Sequence, residues 1–232
     1  MKISVVVFPG SNCDHDVVHI YERVLGQVVN QIWHTETDLK APDLVVLPGG
    51  FAHGDYLRTG AMAKTSPIMA AVREFAERGG PVLGICNGFQ ILCEAQLLPG
   101  VLLRNVGMRF LSQFVHLKVE RTSTPFTNAY SMGEVMTCPI AHFEGNYFAE
   151  PDTLKELEEN SQIVFRYSGQ DGQVSALSAL TNPNGSCHAI AGICNRAGNV
   201  VGLMPHPDRA YEALVGSIGK DTGLKFFSGV MN

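Results

Sequence analysis

A cysteine between two glycines is the first feature of this sequence that could do chemistry. Residues 81–90 read Pro-Val-Leu-Gly-Ile-Cys-Asn-Gly-Phe-Gln, so Cys86 stands two residues from both Gly84 and Gly88. The apolar residues before Cys86 predict a buried strand, and those from Asn87 onward predict a helix. A sharp strand-to-helix turn needs small neighbours, as in the Gly-x-Ser-x-Gly elbow, and the helix N-terminus favours the nucleophilic thiolate. The alternative is that Cys86 only fills the core as a small apolar residue.

A nucleophilic cysteine needs a base, and the base needs a group that orients it. His206 follows an apolar stretch in Met-Pro-His-Pro-Asp, and Asp208 lies two residues further on. On an extended segment both side chains can point into one cleft. We therefore expect His206 to take the thiol proton and Asp208 to hold the imidazole, the alternative being a histidine in a surface turn. His142 is a further candidate pocket residue, and we expect the following to be structural or exposed: His15, His19, His34, His53 and His116.

Two segments that follow predicted strands could complete the site. Residues 47–51 read Leu-Pro-Gly-Gly-Phe, and successive glycines can direct backbone N–H groups toward an acyl oxyanion. Taken alone, this stretch is more typical of an ordinary glycine turn. Cys13 follows the first strand and is a candidate for the cleft lining. The other cysteines are expected to pack in the core, and no C-x-x-C pair indicates a zinc site or a disulfide framework.

The elements that would position these residues alternate along the N-terminal half. Apolar runs predict strands at 3–8, 28–33, 43–48 and 82–85. Helical spacing predicts helices at 15–25, 67–78 and 87–95. The C-terminal half is less regular, with strands at 114–120, 188–194 and 199–204 and a helix at 153–159. This order predicts an α/β fold with an open, mostly parallel, doubly wound sheet, helices on both faces and a smaller antiparallel β element in the C-terminal half. In such sheets ligands bind at the carboxyl ends of the strands.

The composition excludes several classes of function. Charged residues make up 17% of the 232 residues and the net charge is −5, so there is no basic footprint for nucleic acid. The first apolar run is too short for a signal peptide, and none is long enough to span a membrane. We therefore expect a cytoplasmic protein with reduced thiols, and no linker splits residues 1–232 into two domains.

Eight stretches in chain order resemble the class I (triad) glutamine amidotransferases and, within them, the family of glutaminase subunits of phosphoribosylformylglycinamidine synthase. These stretches are Pro9–Asp14, Leu47–Phe51, Gly54–Arg58, Gly84–Gln90, Pro139–His142, Asn182–Ser186, Ile190–Ile193 and Met204–Pro207. Because they cover nearly the whole chain, the resemblance implies one class I glutamine amidotransferase domain over residues 1–232.

The resemblance also implies a reaction. Cys86 attacks the side-chain amide of glutamine, a γ-glutamyl thioester forms, ammonia leaves, and water then releases glutamate. His206 acts as base and then as acid, with Asp208 as the third member of the triad. Ammonia passes to a large synthetase subunit that uses ATP and Mg²⁺ to convert formylglycinamide ribonucleotide to its amidine in purine biosynthesis. A small third subunit bridges the two, and this chain itself needs no cofactor or metal.

The same resemblance assigns the binding residues. The backbone at Gly50 and Asn87 would hold the oxyanion, whereas Gly49, Phe51 and Gln90 would bind glutamine. No contact with nucleic acid or membrane is implied.

Two positions depart from the family pattern. The family usually has His-Pro-Glu where this chain has His206-Pro-Asp208, and tends to have glycine at Phe143. Aspartate keeps the charge but is one methylene shorter, so we expect normal or reduced activity rather than its loss. We expect activity to fall toward acid pH as His206 takes a proton, near pH ~6.5 for an unperturbed imidazole.

Two alternatives stay open at this point. The chain could be a degenerate module that only binds a partner, which the aspartate at 208 favours. It could also belong to the cysteine peptidases or chaperone-like proteins of the same fold, although these have histidine directly after the cysteine, where this chain has Asn87.

Overall fold

The structure is a computed structural model that describes residues 1–214 and 223–231 of the chain. Its strands are β1 Lys2–Val7, β2 Val28–Trp33, β3 Leu44–Leu47, β4 Val82–Ile85, β5 Val101–Leu103, β6 Leu111–Val119, β7 Val135–His142, β8 Asn146–Phe148, β9 Ile163–Ser168, β10 Ile190–Cys194 and β11 Val200–Leu203. Its α-helices are α1 Asp14–His19, α2 Ile68–Glu77, α3 Asn87–Glu94, α4 Pro151–Glu159 and α5 Leu224–Gly229. Among the described residues, no helix is long and apolar enough to cross a membrane.

A nine-stranded sheet organises the fold, in the order β2-β1-β3-β4-β11-β10-β9-β6-β7. The strands from β2 to β11 pair in parallel, and those from β11 to β7 pair antiparallel. β5 and β8 form a separate antiparallel pair. The predicted open α/β sheet with an antiparallel element is confirmed, and most of the antiparallel strands extend the same sheet.

The central strands are apolar because both of their faces are covered. Every residue of β3, β4 and β11 is buried, as expected for parallel strands packed between layers. At the sheet edge, β2 leaves Val28 and Trp33 exposed. The buried run of β4 therefore carries Cys86 from its end into the middle of the molecule.

The antiparallel half of the sheet curls back onto the centre. Five strand spacings of about 4.8 Å would separate β4 from β7 in a flat sheet. Nevertheless Ala141 of β7 places its carbonyl oxygen 3.9 Å from the Sγ of Cys86. Strong curvature thus brings the far edge strand to the ends of the parallel strands.

Several predicted elements differ from the observed ones in detail. The helix expected at 15–25 is α-helical only to His19 and continues as a wider π turn over Ile20–Val24. The strand expected at 188–194 begins at Ile190, because His188 and Ala189 have positive φ angles of 51° and 56°. The elements that were not predicted are β5, β7, β8, β9 and α5.

Candidate active site

Cys86 lies at a tight turn between β4 and α3. Its φ of 50° and ψ of −105° fall outside the regions that residues with a side chain ordinarily adopt. A Cβ atom on Gly88 would lie 1.9 Å from the carbonyl oxygen of Leu47, and one on Gly84 would lie 2.7 Å from the backbone of Gly88. The two glycines therefore let β3, β4 and α3 approach closely enough to form the elbow.

Two backbone N–H groups near this elbow donate no hydrogen bond within the sheet or within α3. Gly50 pairs with the segment after β1, but the pairing bond is donated by the N–H of Phe51 to the carbonyl of Gly10, at 2.8 Å. The N–H of Gly50 thus stays outside the pairing, and Gly50 lines a cavity together with Cys86. Asn87 begins α3, so its N–H has no acceptor within the helix. Both groups are available to a ligand.

His206 and Asp208 are brought together in the interior. The backbone N–H of His206 donates to Pro139 O at 2.8 Å, which ties the segment after β11 to β7. The Nδ1 of His206 lies 3.2 and 3.3 Å from the two carboxylate oxygens of Asp208. His206 is 1% exposed and Asp208 is fully buried. The shorter aspartate side chain thus reaches the imidazole and fixes its orientation.

The electrostatics favour a protonated His206. Burial alone would lower the pKa of His206, but the Asp208 carboxylate, followed by the sulfurs of Cys86 and Cys13, raises this pKa well above its ordinary value. The predicted fall in activity toward acid pH should therefore begin at a higher pH than for an unperturbed imidazole, since a buried anion faces the ring.

A second thiol shares this environment. Arg209 donates from Nη2 to the Sγ of Cys13 at 2.8 Å, and Cys13 donates to Asn12 Oδ1 at 3.1 Å. The sulfur of Cys13 also lies within 4.8 Å of a ring nitrogen of His206. Cys13 was only a candidate for the cleft lining, and the part played by Arg209 was not predicted. The other four cysteines are also free thiols.

One cavity of about 290 Å³ connects these groups, and its lining includes Cys86, Cys13, Gly50, Phe51 and His206. This volume suits a molecule of amino-acid size. Surface grooves elsewhere are larger, for example one of about 580 Å³ beside α2. That groove carries no cysteine or histidine along its described lining, so the smaller cavity is the candidate active site.

Asn87 and Gln90 support the cavity from behind its wall. The Asn87 side chain accepts from the Ala52 N–H at 3.1 Å and donates to Gln90 Oε1 at 3.0 Å. Gln90 Nε2 in turn donates to the carbonyl of Glu144 at 2.6 Å. Gln90 is thus held by the protein itself and does not line the cavity.

Gly49 contacts the base from another side. A Cβ atom on Gly49 would lie 2.7 Å from Cε1 of His206 and 3.0 Å from Sγ of Cys13. Only glycine leaves room there for both the imidazole and the second thiol.

Two further residues of interest lie beside the site. His142 is 3% exposed and hydrogen-bonds through Nδ1 to Asn105 Oδ1 at 3.2 Å. Burial, together with the nearby His206, lowers the pKa of His142 to about 3, so this imidazole is neutral. Phe143 is absent from the cavity lining, and its ring packs against the guanidinium of Arg104 at 5.8 Å.

Cys86, Gly50 and His206 line one cavity, with Asp208 behind the imidazole and the N–H of Asn87 next to the thiol in the chain. A thiol on an elbow, an imidazole held by a carboxylate and N–H groups for an oxyanion are the parts of a covalent acyl-transfer site. Comparison with known proteins agrees with this chemistry. The sequence profile of the CobB/CobQ-like glutamine amidotransferase domain matches residues 1–228. The chain therefore belongs to this family of glutamine amidotransferases.

More specific relatives follow from whole-chain comparisons. The phosphoribosylformylglycinamidine synthase subunit PurQ of Gloeobacter violaceus is 56% identical, covering 100% of this chain and 97% of the relative. The PurQ subunit of Salinibacter ruber is 53% identical over 100% and 96% of the two chains. A chain of the solved PurLQS structure from Thermotoga maritima has a TM-score of 0.85 and 41% identity, covering 100% of this chain and 97% of that one. Within the amidotransferases, the resemblance to the PurQ subunits is thus confirmed.

Proposed function

We propose that this chain is the glutaminase subunit of a phosphoribosylformylglycinamidine synthase and that Cys86 is its nucleophile. The observation that carries the proposal is the convergence of Gly50, Cys86 and His206 at the ends of the adjacent strands β3, β4 and β11, around one cavity. PurQ relatives at more than half identity support the choice of reaction.

The residues divide the reaction between them. Cys86 gives its thiol proton to His206 as its sulfur bonds to the amide carbon of glutamine, and the tetrahedral oxyanion is held by the N–H groups of Gly50 and Asn87. His206 protonates the departing nitrogen, so that ammonia leaves and the γ-glutamyl thioester remains. His206 then takes a proton from water, which attacks the thioester and releases glutamate. Asp208 stabilises the imidazolium in both halves.

Glutamine itself is bound by the cavity wall in this proposal. Phe51, which lines the cavity and is 46% exposed, covers the substrate at the mouth. Gly49 and Gln90 contribute indirectly, because Gly49 sets the position of the base and Gln90 holds the backbone of Glu144. Hydrolysis needs no metal or other cofactor from this chain.

Ammonia is consumed by partners. We propose that a large synthetase subunit uses it, with ATP and Mg²⁺, to convert formylglycinamide ribonucleotide to the amidine, and that a small bridging subunit completes the complex. The relative from Thermotoga maritima is titled PurLQS, which supports an assembly of this kind. The same role implies a cytoplasmic location, and we propose that residues 1–232 act as one domain.

Exposed apolar side chains at the cavity mouth suit contact with the synthetase. Phe51 and Phe110 both line the cavity and are about half exposed, at 46% and 50%. Nearby in the chain, Leu57, Val106 and Met108 are 76%, 67% and 58% exposed. Burying this rim would close the cavity and deliver ammonia away from solvent.

The first test uses a glutamine-mimicking diazoketone, with intact mass and peptide mapping on the chain in complex with its synthetase. We expect one adduct on Cys86, blocked by excess glutamine and absent in Cys86→Ser. Cys187→Ser, which changes a thiol outside the cavity, should label like the wild type. Failure of the wild type to label would refute the proposal in favour of a partner-binding module.

A further inference from the structure

A cluster of possible metal ligands joins the two ends of the chain and consists of Cys13, His206 and Asp208. One ligand atom from each, a thiol sulfur, a ring nitrogen and a carboxylate oxygen, lies within 4.8 Å of the other two, and all three residues are buried. The spacing of cysteines along the sequence gave no sign of this group, because only the curled sheet brings its members together.

We propose that this group binds a zinc ion and that zinc reversibly closes the active site. Thiolate, imidazole and carboxylate are the usual ligands of zinc. Donor atoms on one tetrahedral zinc lie roughly 3.4–3.8 Å apart, so a group now within 4.8 Å contracts by no more than about 1.4 Å. Movements of this size are within the reach of side-chain rotation.

Arg209 prepares the cysteine for this role. Its guanidinium donates a hydrogen bond to the Sγ of Cys13 at 2.8 Å and so places a positive charge beside the sulfur that would bind the metal as thiolate. On zinc binding, Cys13 loses its thiol proton and His206 loses the proton of the ring nitrogen that binds the metal, and both protons pass to solvent. The zinc ion and Arg209 together carry three positive charges. Cys13 and Asp208 together carry two negative charges. Cys86 lines the same cavity, and its thiolate as fourth ligand makes the site neutral.

Zinc and glutamine hydrolysis are mutually exclusive in this arrangement. A neutral imidazole has one lone pair, and when that pair binds zinc, His206 has none with which to accept a proton. Asp208 is diverted from the imidazole to the metal at the same time. Inhibition therefore rests on the proposed glutaminase function, whereas zinc binding itself does not.

The decisive experiment is a binding measurement on the complete chain. Titration with Co²⁺, followed by displacement with Zn²⁺, reports thiolate ligation through the near-ultraviolet charge-transfer absorption. We expect one ion per wild-type chain with a thiolate band. Cys13→Ser should bind at least about tenfold more weakly, since losing even a hydrogen-bond partner of a metal ligand costs this much. Cys187→Ser, a change at a half-buried thiol elsewhere, should bind like the wild type.

A second variant and a melting measurement distinguish loss of zinc binding from loss of folding. Asp208→Asn should also weaken Zn²⁺ binding, and thermal melting should show that both variants fold. The site would be overturned if Cys13→Ser bound zinc with wild-type affinity, or if the wild type showed no thiolate band.

In a glutaminase assay of the complex, zinc should inhibit the wild type at a lower concentration than Cys13→Ser. Zinc binding by a chain that hydrolyses no glutamine would refute the proposed function and leave the zinc site standing.

Discussion

Replacing Asp208 by asparagine tests the electrostatic basis of the site. The carboxylate lies 3.2 Å from the imidazole Nδ1, and both side chains are shielded from water. At an effective dielectric constant of about 20, two unit charges at this distance interact by about 5 kcal/mol. Replacing the carboxylate by an amide therefore removes the largest interaction that raises the pKa of His206.

The direction of the pH effect follows from the sign of the lost charge. The pKa of His206 is raised in the wild type, so the acid limb of the activity profile should lie above the pH of about 6.5 expected for a free imidazole. Asp208→Asn should move that limb toward acid by at least about 1 unit, because burial then lowers the pKa with less opposition. The acid limb should move toward acid whether its pKa belongs to Cys86 or to His206. Removing a negative charge makes a proton on either group easier to lose.

The maximal rate should fall as the acid limb moves. The asparagine neither fixes the imidazole tautomer nor stabilises the imidazolium, and in triads of this kind the loss is of the order of 10²- to 10⁴-fold. The assay is glutamate release against pH for the complex with the synthetase, with thermal melting to confirm folding. An acid limb that stays in place, or moves to higher pH, would refute the reasoning.

Asp208→Glu is the matched control because it keeps the charge and introduces the residue usual in the family. Its acid limb should stay within about half a pH unit of the wild type, with activity of similar size. A gain of several orders of magnitude would show instead that the aspartate had disabled the triad.

Three further predictions concern packing, substrate affinity and stability. Gly88→Ala should destabilise the fold by more than about 3 kcal/mol in urea unfolding, since its Cβ would lie 1.9 Å from a backbone oxygen, whereas Gly107→Ala, where nothing lies within 4 Å, should be near neutral. Gln90→Leu should raise the KM for glutamine about tenfold, because the carbonyl of Glu144 loses its donor; an unchanged KM contradicts that role. Burial and the charge of Glu144 raise the pKa of Asp55 to about 6, so Asp55 costs stability increasingly as the pH rises from 3.8, its unperturbed value, to about 6, and in full above that pH. Asp55→Asn should therefore raise the melting temperature more at pH 7.5 than at pH 4.5, and equal shifts would refute the assignment.

The parts of the fold that could be predicted from the sequence depend on local pattern. The bounds of β2 and β4 agree with the prediction to the residue, whereas α2 differs by one residue at each end and α3 by one residue at its C-terminal end. These elements have largely apolar runs or helical spacing, and Gly79 and Gly80 follow α2 closely. β7 and β9 were missed, since their residues alternate or carry polar groups and their pairing partners are distant in sequence.

The candidate site was partly predictable for the same reason. Cys86 and His206 each follow an apolar strand within a recognisable motif. The contact of Arg209 with Cys13 joins residues at opposite ends of the chain, and no local pattern reports it. The carbonyls of Pro139 and Ala141 reach the site only because the sheet curls, which is a property of the whole sheet.

The strand order has a consequence for how the molecule opens. The residues proposed for chemistry follow β3, β4 and β11, which lie between other strands on both sides, whereas β2 forms one edge. Local unfolding proceeds from edges and loops, and central strands open only with the whole domain. Amide hydrogens of β4 should thus exchange with deuterium only through global unfolding, and those on the free side of β2 much sooner. A protease could therefore cleave the periphery of this molecule during partial opening, but the backbone at Cys86 would become accessible to it only when the entire sheet is lost.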